Sequence, residues 1–180
     1  MLISQAVEEI RLAFSVQSHC TLEDIRLSHC HVSLENYEEN LKSPFRIRLS
    51  KPTTHASLLS HSSLRVRATF AVEGQDSSKS PKSLFKVECS FDLNYSIQSD
   101  FRPGEAELKA FKDGNAIFNC WPYVREFVQN LTMRMDLDAP PLPLLRIAPK
   151  PPLETNVLAA VTQRKTAPRQ KKRIRGVKGN

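Results

Sequence analysis

Alternation of apolar and polar residues dominates the first hundred positions of the chain. Apolar side chains occupy every second position in stretches that begin at Ile10, Ile25, Phe45, Leu64 and Phe85. A period of two is the pattern of a β-strand with one buried and one solvated face. Sheets that leave one face in water are usually antiparallel. We therefore predict four or five antiparallel strands between residues 10 and 97.

Two polar segments connect the later strands. Residues 74–83 are polar and contain turn-forming residues, so they predict a hairpin loop. Residues 51–63 are longer and rich in Ser and His. This composition predicts a connection that crosses over a neighbouring strand.

The period changes after residue 115. Pro122 suits the first turn of a helix, where its missing N–H costs nothing. Six of the twelve prolines fall in residues 139–152 and predict an extended arm, while residues 153–163 predict a short second helix. Apolar residues at helical spacing after Pro122 predict an amphipathic helix of three to four turns, namely Val124, Phe127, Val128, Leu131 and Met135.

Charge divides the chain unevenly. The net charge of the 180 residues is +7, but residues 164–180 are rich in Lys and Arg and contain no acidic residue. Without that segment the chain is nearly neutral, so the high isoelectric point does not indicate a nucleic-acid-binding fold. We predict a globular domain over 1–147, a Pro-rich arm with a possible short helix over 148–163, and a disordered basic tail over 164–180.

The sequence predicts a cytoplasmic protein with reduced thiols. Glu8, Glu9 and Arg11 interrupt the apolar stretch that a secretion signal would need. No apolar run approaches the ~20 residues of a membrane-spanning helix. The cysteines are therefore expected to be free thiols; they are Cys20, Cys30, Cys89 and Cys120.

Candidate chemistry is sparse. Segments 18–20 (SHC) and 28–31 (SHCH) contain ligand types that zinc prefers. They lack the usual ligand spacing, however, and on a strand only His29 and His31 would share a face. The chain also lacks the GxSxG, HExxH and phosphate-binding glycine motifs. We predict no metal, no cofactor and no catalytic centre.

Residues 119–145, NCWPYVREFVQNLTMRMDLDAPPLPLL, resemble the C-terminal part of the SecB family of export chaperones. In that family an aromatic-Pro-Tyr-x-Arg-Glu element opens a helix, and an arm of the Pro-x-Leu-x-Leu type follows. Phe14–Gln17 with Asp24-Ile25 resembles the first strand of the family, and Phe85–Cys89 resembles the last. The resemblance spans roughly residues 10–147. Its C-terminal matches are Trp121, Pro122, Tyr123, Arg125, Glu126, Pro141, Leu142, Leu144 and Leu145.

The resemblance implies an α+β fold, with a four-stranded antiparallel sheet and C-terminal helices packed on one side. It implies a homotetramer built as a dimer of dimers. Such a protein is an ATP-independent chaperone, not an enzyme, which binds unfolded polypeptides in a long apolar groove and keeps them competent for export. Many weak apolar contacts along a groove give affinity without sequence specificity.

The resemblance also implies roles for particular residues. For each aromatic residue among them, core packing is the alternative role. The helical periodicity, independently of the resemblance, predicts that the stripe of Val124, Phe127, Val128 and Leu131 holds the helix to the sheet or to a partner helix. Tyr123 is apolar but lies outside this stripe, which points to oligomerisation or to a groove that accepts apolar partners. The groove residues are Phe85, Tyr95, Ile97, Trp121, Leu142, Leu144 and Leu145.

Partners follow from the same resemblance. Asp24 and Glu88 match positions at which the translocation ATPase SecA docks on an acidic face, whereas Ser28 and Lys86 depart from that pattern. A lost acid and a gained base weaken a patch meant for a basic partner. Relatives that serve as chaperones for an antitoxin in a toxin–antitoxin system offer an alternative role. A nucleic-acid-binding module acting through residues 164–180 is the second alternative.

Overall fold

The computed structural model describes residues 2–35, 45–77, 80–137 and 141–149, with the backbone alone for 2–4 and 45. The predicted second helix over 153–163 and the basic tail over 164–180 lie outside these residues. The elements in chain order are β1 (Leu2–Gln5), α1 (Val7–Gln17), β2 (Cys20–Leu34), β3 (Phe45–Leu49), β4 (Thr53–Ser60), β5 (Ser63–Asp76), β6 (Ser83–Ile97), α2 (Glu105–Phe111), a π-helical turn (Lys112–Ala116), α3 (Ile117–Arg134) and β7 (Arg146–Pro149).

The main sheet is antiparallel and four strands wide. Its order is β2-β6-β5, and the fourth position is shared by β3 and β4, which pair with successive parts of β5. Residues 51–52 interrupt this edge, since Pro52 has no N–H to contribute to the ladder. The α+β class and the antiparallel sheet with helices on one side are confirmed.

The two central strands follow the predicted alternation. On β5 the side chains at every second position are buried, from Leu64 to Val72. On β6 the matching apolar face runs from Phe85 to Ile97. From Leu64 to Val72 each buried apolar residue of β5 lies opposite an apolar residue of β6, so both strands present one continuous apolar surface to the helices.

The prediction of a strand over residues 10–17 is wrong, because these residues belong to helix α1. Ala13 and Val16 are buried at a spacing of three, which places them on one side of a helix. Phe14, which matched the first strand of the family, is exposed. The start signal lies in the acidic first turn, where the Glu9 carboxylate accepts a hydrogen bond from the Ala6 N–H at 2.8 Å. The first strand of the main sheet is therefore β2.

The prediction of a crossing connection over residues 51–63 is also wrong. Strand β4 occupies Thr53–Ser60 and pairs with β5 through a tight turn. As an edge strand it is only half covered, so it carries Ser, Thr and His where a central strand would carry apolar residues. The polar hairpin loop after β5 is confirmed where the structure describes it.

The helix expected to begin at Pro122 begins much earlier. The elements α2, π-helical turn and α3 follow one another without a break from Glu105 to Arg134, and Pro122 lies inside α3. The missed start signal is Gly104, whose N–H donates to the Glu107 carboxylate at 2.8 Å. The predicted stripe of α3 does face the sheet. Its buried members include Val124 and Val128.

A small parallel sheet joins the two ends of the described chain. Strand β1 pairs with β7, and β7 runs across the predicted domain boundary at residue 147. Gln5, the last residue of β1, is buried and donates from Nε2 to the Ala110 carbonyl at 3.3 Å. Gly114 packs so closely on Gln5 that an added Cβ would lie 2.7 Å from its amide. No helix within the described ranges is long and apolar enough to cross a membrane.

Candidate polypeptide-binding surface

Helix α3 lies over the middle of the main sheet. On one side its Trp121 ring contacts Phe70 of β5, with ring centroids 5.9 Å apart. On the other side Phe127 meets Phe91 of β6 edge-on at 6.1 Å. These two contacts define two flanks of the helix. We call the Trp121 side the arm flank and the Phe127 side the open flank.

The arm flank is covered by residues 141–145, which we call the arm. The Trp121 indole Nε1 donates to the Pro143 carbonyl at 2.9 Å, and Arg125 Nε donates to the Leu142 carbonyl at 2.9 Å. The side chains of Leu142 and Leu145, which belong to the arm, are buried. Two residues of the WPYVRE element thus anchor the arm through its backbone.

An apolar row on β2 lies beyond the open flank. Its members oppose the buried apolar residues of β6, so they lie on the same side of the sheet as α3. They are nevertheless partly open to solvent, with Leu22 37% exposed, Leu27 45% and Leu34 46%. The apolar row comprises Leu22, Ile25, Leu27, Cys30, Val32 and Leu34.

Two β-bulges make the spacing of this row irregular in the sequence. They lie between Leu22 and Asp24 and between Leu27 and His29. A bulge adds one residue to a strand, so the apolar positions continue on one face although their spacing alternates between three and two. A strict period of two therefore breaks the row into separate pieces, of which Ile25 and Leu27 form one and Cys30, Val32 and Leu34 another. The broken spacing is the signal that could have revealed the whole row.

The apolar row and the open flank lie side by side, and we call the surface that they border the trough. Leu27 lies opposite Phe91 in the sheet, and Phe127 packs on the same Phe91 from the helix. Tyr123, 49% exposed, precedes Phe127 by one helical turn and extends the open flank. At the Leu22 end is a cavity of about 260 Å³, lined by Gln17, Cys20, Leu22, Tyr95, Phe111 and Asn119.

Most of the predicted groove residues lie in the core of the chain instead. The Phe85 ring covers Gly74, where an added Cβ would lie 2.1 Å from a ring atom. The Tyr95 ring packs edge-on against Phe111, and burial raises the pKa of its phenol. Leu144 alone of the predicted set is exposed, at 65%. The members placed in the core are Phe85, Tyr95, Ile97, Trp121, Leu142 and Leu145.

The predicted helix-packing residues divide between core and surface. Val124 and Val128 are buried against the sheet, as the stripe requires. Phe127 and Leu131 are half-buried at the edge of the core. Tyr123 is largely exposed, so the described chain leaves it available to a partner.

The opposite face of the sheet carries paired charges. Asp92 accepts two hydrogen bonds from Arg67, at 2.7 and 2.8 Å, which hold the pKa of its carboxyl below the usual range despite burial. Asp24 accepts hydrogen bonds from Asn94 and Arg26, both at 2.6 Å, and these lower its pKa. Glu88 is exposed and opposes His31 across the strands.

This face therefore does not form a purely acidic patch around Asp24 and Glu88. Lys86, which lies two positions before Glu88 on the same face of β6, places its Nζ 2.9 Å from the Glu35 carboxylate. A concavity of about 370 Å³ there is lined by both acidic and basic side chains, among them Glu73 and His31. Among the described residues, no group of three or more His, Cys, Asp or Glu is arranged to hold a metal.

The fold has a counterpart among solved structures. A SecB-like chaperone from Mycobacterium tuberculosis, in complex with a ChAD peptide from the HigA1 antitoxin, superposes with a TM-score of 0.65 at 20% identity. The match covers 77% of this chain and all of that one. A protein of unknown function from Streptococcus agalactiae matches with a TM-score of 0.40 and 15% identity, over 69% of this chain and 95% of that one. No family model and no curated protein matches. The chain therefore has the SecB-like fold that its sequence resembles.

Proposed function

We propose that this protein is an ATP-independent chaperone that holds non-native polypeptide segments in the trough between the apolar row and the open flank of α3. The observation that carries the proposal is the row itself. A line of apolar side chains on the core side of a long strand stays partly open to solvent. Unfolded chains expose the apolar side chains that such a surface would bury.

An antitoxin is the client that we favour over export substrates. The structural counterpart with a TM-score of 0.65 was solved with an antitoxin peptide. Docking of SecA would use the opposite face, where Asp24 is already engaged by Arg26 and Asn94. A face with balanced charges attracts a basic partner weakly. Export through SecA, with Asp24 and Glu88 as docking residues, is the second candidate.

The backbone of β2 supplies a second mode of binding. Within the described part of the chain β2 pairs with β6 alone, so it is an edge strand of the main sheet. An extended client that lies along this edge can add a strand through main-chain hydrogen bonds while its side chains reach the apolar row. The exposed Tyr123 suits contact with further copies. We propose the homotetramer as the working assembly.

The first experiment compares two leucines of similar exposure. Leu27→Asp places a charge in the trough, whereas Leu59→Asp places one on β4, where Leu59 is 52% exposed. Burial of one leucine contributes about 1.5–3 kcal/mol, which corresponds to roughly 10- to 100-fold in affinity. We expect Leu27→Asp to weaken binding of a fluorescent antitoxin peptide by at least about tenfold and Leu59→Asp to leave it within about twofold. Equal effects of the two variants would refute the trough as the binding site.

Two further measurements separate the candidate functions. Titration of SecA against the wild type and the double variant Asp24→Ala, Glu88→Ala tests export docking, and we expect weak binding to both. Deletion of residues 164–180 tests the basic tail. We expect client binding to survive the deletion. A nucleic-acid-binding module would instead lose its affinity for nucleic acid, and that affinity would fall steeply with salt in the full chain.

A further inference from the structure

Cys30 and Cys89 lie directly opposite each other on neighbouring antiparallel strands. The phase of the hydrogen bonding along β2 and β6 follows from one contact. The Glu35 N–H donates to the Leu84 carbonyl at 2.7 Å, which marks 35 and 84 as a hydrogen-bonded pair. Such pairs alternate along an antiparallel ladder. In the unbroken register between them, Cys30 and Cys89 therefore form a non-hydrogen-bonded pair.

The non-hydrogen-bonded position brings side chains closest together. Its Cα atoms are about 4.5 Å apart, within the roughly 4.4–6.8 Å that a disulfide spans. The two thiols lie on the same side of the sheet, since opposed residues share a face. Both are free thiols in this structure.

Accessibility distinguishes this pair from the other thiols nearby. Cys30 is exposed in the apolar row, whereas Cys89 is fully buried beneath it. Cys120 of α3 also interacts with Cys89, but both of those thiols are fully buried. An oxidant from solvent reaches Cys30 first, and the neighbouring thiol in position to respond is Cys89.

We propose that Cys30 and Cys89 form a disulfide when the protein meets a peroxide, and that this bond fastens the edge strand β2 to β6. In the first step the Cys30 sulfur attacks one peroxide oxygen, giving a sulfenic acid and one molecule of water. In the second step the Cys89 sulfur attacks the Cys30 sulfur and displaces a second molecule of water. Two thiols are oxidised and one peroxide is reduced.

The bond would form slowly and would change the trough locally. Burial raises the pKa of Cys89 to about 12 and also raises the pKa of Cys30, so thiolate is scarce at neutral pH. The short distance between the two side chains, rather than an activated thiolate, favours formation of the bond. Once formed, the bond fixes the middle of the apolar row and opposes local opening of β2.

Peptide mapping tests the linkage directly, since trypsin separates the four cysteines. The folded protein is treated with hydrogen peroxide, its remaining thiols are alkylated, and the digest is analysed by mass spectrometry. Cys20, Cys30, Cys89 and Cys120 fall in peptides 12–26, 27–42, 87–109 and 113–125. We expect a linked pair of 27–42 with 87–109 that dithiothreitol releases, and loss of two of the four thiols.

Two variants complete the test. Cys30→Ser should abolish the linked pair, while Cys20→Ser, which changes another cysteine of the same strand, should preserve it. In the wild type the urea midpoint of unfolding should rise on oxidation and return on reduction. A link between 87–109 and 113–125, a link between two copies of the chain, or no linked peptide after prolonged peroxide treatment would overturn the proposal.

Discussion

The two flanks of α3 have similar composition but different neighbours. On the arm flank, Trp121 and Arg125 donate to backbone carbonyls of the arm, and the apolar residues beneath them are buried. On the open flank, Phe127 is half-buried and Tyr123 is largely exposed, although the sheet beyond them carries a full apolar row. The arm covers the arm flank, whereas the open flank is left for another chain to cover.

This difference separates stability from binding. Buried contacts on the arm flank contribute to folding, whereas apolar side chains on the open flank contribute little until another chain covers them. A protein selected only for stability would gain by covering both. The asymmetry supports a surface kept open for a partner, and the following variants test it.

Trp121→Ala should have the largest effect, since it removes a buried ring and the hydrogen bond to Pro143. Loss of a buried Trp typically costs about 3–5 kcal/mol in the free energy of unfolding. Urea unfolding followed by circular dichroism measures it, because Trp121 is the single tryptophan and fluorescence is lost with it. A fall of less than about 1 kcal/mol in the free energy of unfolding would show that the arm flank is not part of the hydrophobic core.

Phe127→Asp should come next. It places a carboxylate against Phe91 at the edge of the core, and burial of an unpaired charge is costly. We expect the free energy of unfolding to fall by about 2 kcal/mol and the oligomer to dissociate in light scattering. Phe127→Leu is the matched control and should retain assembly. Normal assembly of Phe127→Asp would exclude this position from the oligomer contact, and an unchanged free energy of unfolding would exclude it from core packing.

Arg125→Ala should have a moderate effect confined to the arm. It removes one hydrogen bond to the Leu142 carbonyl, and a typical intramolecular hydrogen bond contributes about 0.5–1.5 kcal/mol. Amide hydrogen exchange at Leu142, Leu144 and Leu145 should accelerate, while exchange in β6 should not. Uniform acceleration across the sheet would mean that the arm and the core open together.

Tyr123→Ser should have the smallest effect on stability. Substitutions of exposed side chains usually change the free energy of unfolding by less than about 0.5 kcal/mol. Affinity for an antitoxin peptide should nevertheless fall several-fold, as measured by fluorescence anisotropy. Unchanged affinity would remove Tyr123 from the trough.

The sequence predicts the central strands well because their alternation is regular and one face of each strand is fully buried. It fails at α1, where Ile10, Leu12, Phe14 and Val16 alternate by coincidence while burial follows a helix. Edge strand β4 escapes detection because only part of its surface meets the core. Propensity and period describe a segment by itself, and tertiary packing decides these cases.

Prediction of the site is limited by a different cause. Alternation identifies the face to which Phe85 or Tyr95 belongs, but not whether a helix covers that face. The WPYVRE element identifies a conformation, the anchored arm, rather than a set of exposed contacts. The exposed row on β2 is interrupted by two bulges that depend on its pairing with β6. Register cannot be read from one strand alone.

The pairing of β1 with β7 has a consequence for biosynthesis. Leu2 pairs with Arg146 and Gln5 with Pro149, so nearly all of the described chain lies between the two strands. Closing such a long loop is costly in entropy, and contacts so distant in sequence form late. During translation β1 must remain without its partner strand until the segment around Pro149 leaves the ribosome. A strand made long before β7 is thus among the last elements to reach its final place.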